Sequence, residues 1–112
     1  MKLNFKNDMR EVMSTAWHIC RVTGENFASC LKRSWQCFKL RRAMLTRIVR
    51  FSYIKKSTGA LRTAYGTLDP HRYSYEAVGG HDYKPADCIR YYDTEAKGFR
   101  MFKNFNLVSV SL

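Results

Sequence analysis

Arg47-Ile-Val-Arg-Phe-Ser-Tyr-Ile54, Lys55-Lys-Ser-Thr-Gly59 and Ala60-Leu-Arg-Thr-Ala-Tyr-Gly-Thr-Leu68 form the stretch on which the fold turns. From Arg47 the apolar spacing is that of a strand. Val49, Phe51 and Tyr53 point one way, and Arg50, Ser52 and Ile54 the other. Gly59 suits a positive-φ position in a short hairpin loop, so residues 47–54 and 60–68 are expected to pair. Asp69-Pro70 stops the second strand, because proline cannot continue a central ladder. Cys88–Asp93, Phe99–Lys103 and Leu107–Val110 read as further short strands, with a turn over Thr94–Gly98. Together they predict a small β-barrel over residues 47–112. So small a barrel has almost no interior for chemistry, and works through its surface.

Upstream the apolar period is that of a helix. Met9, Val12, Met13, Ala16, Trp17 and Cys20 follow the i, i+3, i+4 rule, as do Phe27, Cys30, Leu31, Ser34, Trp35 and Phe38. Asp8 with Glu11 reads as a capping box for the first helix, Gly24 as its stop and Asn26 as the N-cap of the second. Residues 1–46 are therefore expected to form a helical hairpin with Trp17 and Trp35 buried in its seam. The fold class is α+β: an N-terminal two-helix hairpin packed on the barrel, and a chain of 112 residues is expected to make these one compact unit.

The charge is strongly one-sided. Twenty Lys and Arg against nine Asp and Glu give a formal charge of +11, which favours a polyanionic partner. The run from Lys32 to Arg50 contains no acid. Lys32, Gln36 and Lys39 form a polar stripe on the second helix, with Arg33 at its edge. Arg41 falls on the apolar side, so the helix is expected either to end near Leu40 or to bend its arginines outward. Lys32, Arg33, Lys39, Arg41, Arg42, Arg47 and Arg50 are the candidate polyanion surface, reaching toward Lys55, Lys56 and Arg62 of the first hairpin. Tyr73, Tyr75 and Tyr83, in the long segment between Pro70 and Cys88, are candidate stacking residues.

Other chemistries are poorly represented. No Ser–His–Asp, Cys–His or paired-carboxylate arrangement stands out, and Gly79-Gly80 lacks the context of a phosphate loop, so no catalytic residue is assigned and no enzyme is expected. Cys20, Cys30, Cys37 and Cys88 include no Cys-x-x-Cys pair, so neither a metal site nor a cofactor is expected. Cys30 and Cys37, about 10 Å apart on one helix, are too distant to bridge. The first residues lack the apolar run of a signal peptide, and no segment is apolar enough to span a membrane. Free thiols, a cytoplasmic location and no membrane partner follow as expectations.

Several of these residues carry a resemblance. Lys56, Gly59, Arg62, Ala64, Gly66, Thr67 and Leu68, then Tyr91, Asp93, Arg100, Phe102, Lys103, Asn106 and Leu107, match the pattern of a family of short bacterial and phage proteins. That family is a WYL-related, Sm-like SH3 barrel, and the resemblance covers about residues 48–110. Thr58, Phe99 and Met101 depart from its usual aspartate, tryptophan and serine. The resemblance implies a five-stranded, strongly bent barrel. It also implies a role in sensing ligands or nucleic acid, RNA above all, in a bacterial or phage setting.

Two functions are carried forward. The first is a non-enzymatic, basic accessory or regulatory protein that binds nucleic acid, RNA in preference to DNA. The alternative is a phage or mobile-element inhibitor of a host nucleic-acid-guided nuclease, anti-CRISPR-like, that binds a protein or ribonucleoprotein partner. Both use basic, aromatic-rich surfaces.

Overall fold

The computed structural model describes residues 5–72 and 87–111. Two helices, α1 (Phe5–Thr23) and α2 (Phe27–Met44), precede five strands: β1 (Val49–Ile54), β2 (Leu61–Thr67), β3 (Cys88–Asp93), β4 (Gly98–Lys103) and β5 (Leu107–Ser111). Short 3₁₀ turns lie at Pro70–Arg72 and Asn104–Asn106. The predicted strands therefore all form, within one or two residues of their expected ends. Tyr73, Tyr75 and Tyr83 lie outside the described residues.

The helical punctuation follows local chemistry. Gly24 takes φ +74° and its N–H donates to the Cys20 carbonyl at 2.9 Å, which closes α1. Asn26 Oδ1 accepts from the Ser29 N–H at 2.9 Å, the predicted N-cap. Asp8 does not cap α1. It lies inside the helix, buried, and receives the Arg42 guanidinium from α2.

The seam between the helices keeps Val12, Ala16, Cys30 and Ser34 of the predicted ladders but not the tryptophans. Val12, Ala16 and Ile19 are buried on α1, with Cys30 and Ser34 on α2. The Ser34 hydroxyl donates to the Val12 carbonyl at 2.7 Å, which needs close backbone approach. Small side chains allow that approach, whereas a tryptophan in the seam would hold the axes apart. Trp17 is accordingly 51% exposed and stacks on Phe27 at 4.3 Å, outside the seam. Trp35 is half-buried, with the Phe38 ring edge-on at 5.7 Å.

The strands form one antiparallel sheet in the order β4-β3-β2-β1-β5. Val49, Phe51 and Tyr53 are buried as the alternation required. They join Tyr91, Phe102 and Leu107 in a core that is completed by Cys37, Leu40 and Met44 of α2. The need to cover this face explains why α2 runs on to Met44 instead of ending near Leu40. The end of β2 then caps it: the Leu68 N–H donates to the Met44 carbonyl at 2.8 Å, and the Thr67 hydroxyl lies 3.0 Å from the same oxygen.

Gly66 fixes how tightly the aromatic core closes. A Cβ there would lie 2.6 Å from Tyr91 Cδ2 and 2.9 Å from Phe51 Cε1. Phe51 and Tyr91 meet edge to face at 4.9 Å, and Tyr53 stacks on Phe102 at 4.5 Å. The hydroxyls of Tyr53 and Tyr91 hydrogen-bond at 2.8 Å.

Candidate functional site

The acid-free run of the sequence is not acid-free in space. Arg33 pairs with Glu25 at 3.3 Å. Arg41 pairs with Glu11, so it does not project freely. Arg42 donates to both oxygens of Asp8 at 2.9 Å and lies 4.8 Å above the Phe38 ring. Those arginines tie α2 to α1 and to the loop between them. The helical hairpin places the acids of α1 one layer away from a basic stretch that lacks its own.

Among the described residues, Lys32, Lys39, Arg47, Arg50, Lys55 and Lys56 have no acidic partner. Lys32 and Lys39 are exposed on the outer stripe of α2, around Gln36 and Trp35. Arg47 is exposed just after α2. Arg50 is exposed on β1, in register with Tyr65 of β2 and Ser111 of β5.

Lys55, Lys56 and Arg62 come together, as expected, but with partners that chain order concealed. They line a groove of about 470 Å³ whose opposite wall is β4, with Arg100 and Lys103 among its residues. The register explains this convergence. The β1–β2 turn carries Lys55 and Lys56, Arg62 follows opposite Tyr53, and the core stack of Tyr53 on Phe102 draws β4 against them. Tyr53 and Phe102 also line the groove, along with Phe99 and Met101. Phe99 is held by Arg90, 4.2 Å above its ring, and by the edge of Tyr92 at 5.5 Å.

Two carboxylates set the charge of this groove. Asp93 is 1% exposed and receives Arg62 Nη2 at 2.6 Å, with Arg100 Nε 3.7 Å from the same oxygen. Its other oxygen accepts the Glu95 and Ala96 N–H groups at 2.9 and 3.0 Å. Burial pushes the Asp93 carboxyl up, but the Ala96 N–H, Arg62 and the Glu95 N–H outweigh it, and it titrates below its ordinary value. The Arg62 guanidinium is raised by its hydrogen bond to Asp93. Arg62 Nε is enclosed and has no hydrogen-bond partner, so the guanidinium is held through its Nη2 bond to Asp93. Lys103 Nζ donates to both oxygens of Asp87 at 3.0 and 3.1 Å, which raises the amine and lowers the carboxyl. Burial and the Tyr53 hydroxyl push the Tyr91 phenol up, so it stays protonated and serves the core.

The result is five cationic side chains and three aromatic rings around one groove, with Lys55 and Lys56 uncompensated. The chemistry of such a lining suits anions beside flat apolar groups. Lys103 and Arg100 were missed as site residues because they stand more than forty positions after Lys56. Their place in the matched Gly98–Lys103 motif was the available signal. Among the described residues no cluster of His, Cys, Asp and Glu could hold a metal, and no helix is long and apolar enough to cross a membrane.

Comparison with known proteins gives one match. The family model described as WYL_2, Sm-like SH3 beta-barrel fold, matches residues 37–108. It begins within α2, earlier than the resemblance in the strands suggested, and includes the α2 residues that cover the sheet. No curated protein and no solved structure matches the chain.

Proposed function

The chain belongs to the WYL_2 family of Sm-like SH3 β-barrels, and on that premise we propose that it is a non-enzymatic binder of single-stranded nucleic acid, RNA above all. The observation that carries the reading is the groove where Lys55, Lys56, Arg62, Arg100 and Lys103 converge beside Phe99. Phosphates gain from Lys55 and Lys56, whose charge no acid offsets. Phe99, already oriented by Arg90 and Tyr92, offers a ring for a base.

Single strands fit better than a duplex. The groove is built from strands and a turn, with no helix residue in its lining, and the Phe99 ring beside it suits an unstacked base. The preference for RNA over DNA follows the expectation set by the Sm-like resemblance.

The test is fluorescence anisotropy with labelled single-stranded RNA, single-stranded DNA and duplex DNA across a salt series. Single-stranded RNA should bind most tightly, with a log–log salt slope of about −0.7 per phosphate contact. The K55E/K56E variant should lose binding while keeping its circular dichroism spectrum. Wild type without salt-sensitive RNA binding would overturn the reading. If wild type then captured an acidic protein that K55E/K56E did not, the inhibitor function would replace it.

A further inference from the structure

Among the described residues a second cation-and-aromatic surface accompanies the groove. On the outer stripe of α2, Lys32, Trp35, Gln36 and Lys39 line a shallow depression. Trp35 is the large aromatic there, half-buried, and neither lysine has an acidic partner among the described residues. Lys32 and Gln36 also line an adjoining depression, together with the paired Arg33 and Glu25 and with Leu107 and Val108 at the start of β5. Leu107 is the register partner of Tyr53 in the core, and the next residue, Val108, is exposed at that point of the surface. By chain, only the 3₁₀ turn Asn104–Asn106 separates Lys103 of the groove from Leu107. At a rise of about 2 Å per residue that turn spans well under 10 Å, little more than one step along a single strand.

We propose that these surfaces form one track. A single strand lying in the groove continues past the start of β5 onto α2, where Lys32 and Lys39 take two further phosphates and a base stacks on Trp35. This deepens the proposed function and rests on it. It adds that the ligand is an extended single strand long enough to reach both surfaces, not a short segment held at the barrel alone. The charge pattern favours this occupant over an acidic peptide: the lysines flank an aromatic ring at roughly one helical turn on either side, which suits phosphates alternating with bases.

Trp35 supplies its own reporter. The chain has only two tryptophans, and W17F removes the other, which packs on Phe27 outside the core. W17F protein would be titrated with labelled oligouridylates of four and of ten nucleotides, reading anisotropy and Trp35 fluorescence together. The ten-mer should quench Trp35 and bind at least tenfold more tightly than the four-mer, which should bind without quenching. Adding K32E and K39E should abolish that length advantage, leave four-mer binding unchanged and reduce the salt slope for the ten-mer by about 1.4, two contacts at about 0.7 each. Equal affinity for the two lengths with no quenching would overturn the track while leaving the groove as the binding site. No binding of either length would overturn both readings. Binding of both lengths that K55E/K56E leaves unchanged, with Trp35 quenched by both, would confine the ligand to α2 and also overturn the track.

Discussion

The Arg62 guanidinium reaches the Asp93 carboxylate at 2.6 Å, bridging β2 to the end of β3 across 31 positions of chain. Asp93 is buried and also accepts the two N–H groups that open the β3–β4 turn, so one carboxylate orders a turn and orients a groove cation. Removing it leaves a guanidinium and two N–H groups without their acceptor. Asp93→Ala should therefore cost roughly 3–5 kcal/mol, the range for breaking a buried pair from one side. Urea denaturation measures it, and a loss below about 1 kcal/mol would show that the pair adds little.

The same carboxylate gives stability a pH dependence of known sign. Asp93 and Asp87 both titrate below their ordinary value of 3.8 in the folded chain. Their stabilisation is complete above the unfolded value and is lost as pH falls through the lower folded values. The urea midpoint should be level above about pH 5 and fall below about pH 4, with a shallower fall in Asp93→Asn. A midpoint that rises on acidification would contradict the assignment.

Gly66→Ala tests the packing of the barrel. The new methyl would sit inside contact distance of both Tyr91 and Phe51, rings that are themselves held edge to face. Overpacking of this kind costs roughly 1–3 kcal/mol. Thermal unfolding should show a lower midpoint, and an unchanged one would mean that the rings yield easily.

Charge reversals should separate binding from folding. Lys55 and Lys56 have no acidic partner, so K55E/K56E should leave the unfolding midpoint within a degree or two of wild type. Arg42→Glu instead faces Asp8, whose side chain is only 12% exposed. That variant should lose roughly 2–3 kcal/mol, somewhat less than a fully buried pair. Equal stability of the two variants would remove the structural role assigned to Arg42.

The thiols should differ in reactivity. Burial pushes Cys37 up to about 12, and Cys30 and Cys88 are also buried, whereas Cys20 is partly exposed. Titration of the native protein with a thiol reagent at pH 8 should label at most Cys20, slowly, and all four cysteines after unfolding in guanidinium. Rapid native labelling of two or more would show that the helical hairpin opens.

Much of this protein was determined by sequence alone. The alternation at Val49, Phe51 and Tyr53, the turn glycine at 59, the stop at Gly24 and the cap at Asn26 are local properties. Each depends on backbone preferences within a few residues, and tertiary packing left them unchanged. The motif from Lys56 to Leu107 specified the barrel for the same reason, since its glycines, Asp93 and core aromatics answer needs of the barrel itself.

What only the tertiary structure decided is who meets whom. The helical period could not say which of two adjacent stripes faces the partner helix. The close contact of Ser34 with Val12 chose the narrower one and turned Trp17 out to solvent. Charge in chain order likewise misjudged charge in space: Arg41 and Arg42 are met by Glu11 and Asp8 from thirty or more positions away. Arg100 and Lys103 instead arrive beside Lys55 and Lys56 because β4 folds over the end of β1. Electrostatic surfaces are built from distance through space, and a sequence orders its charges only along the chain.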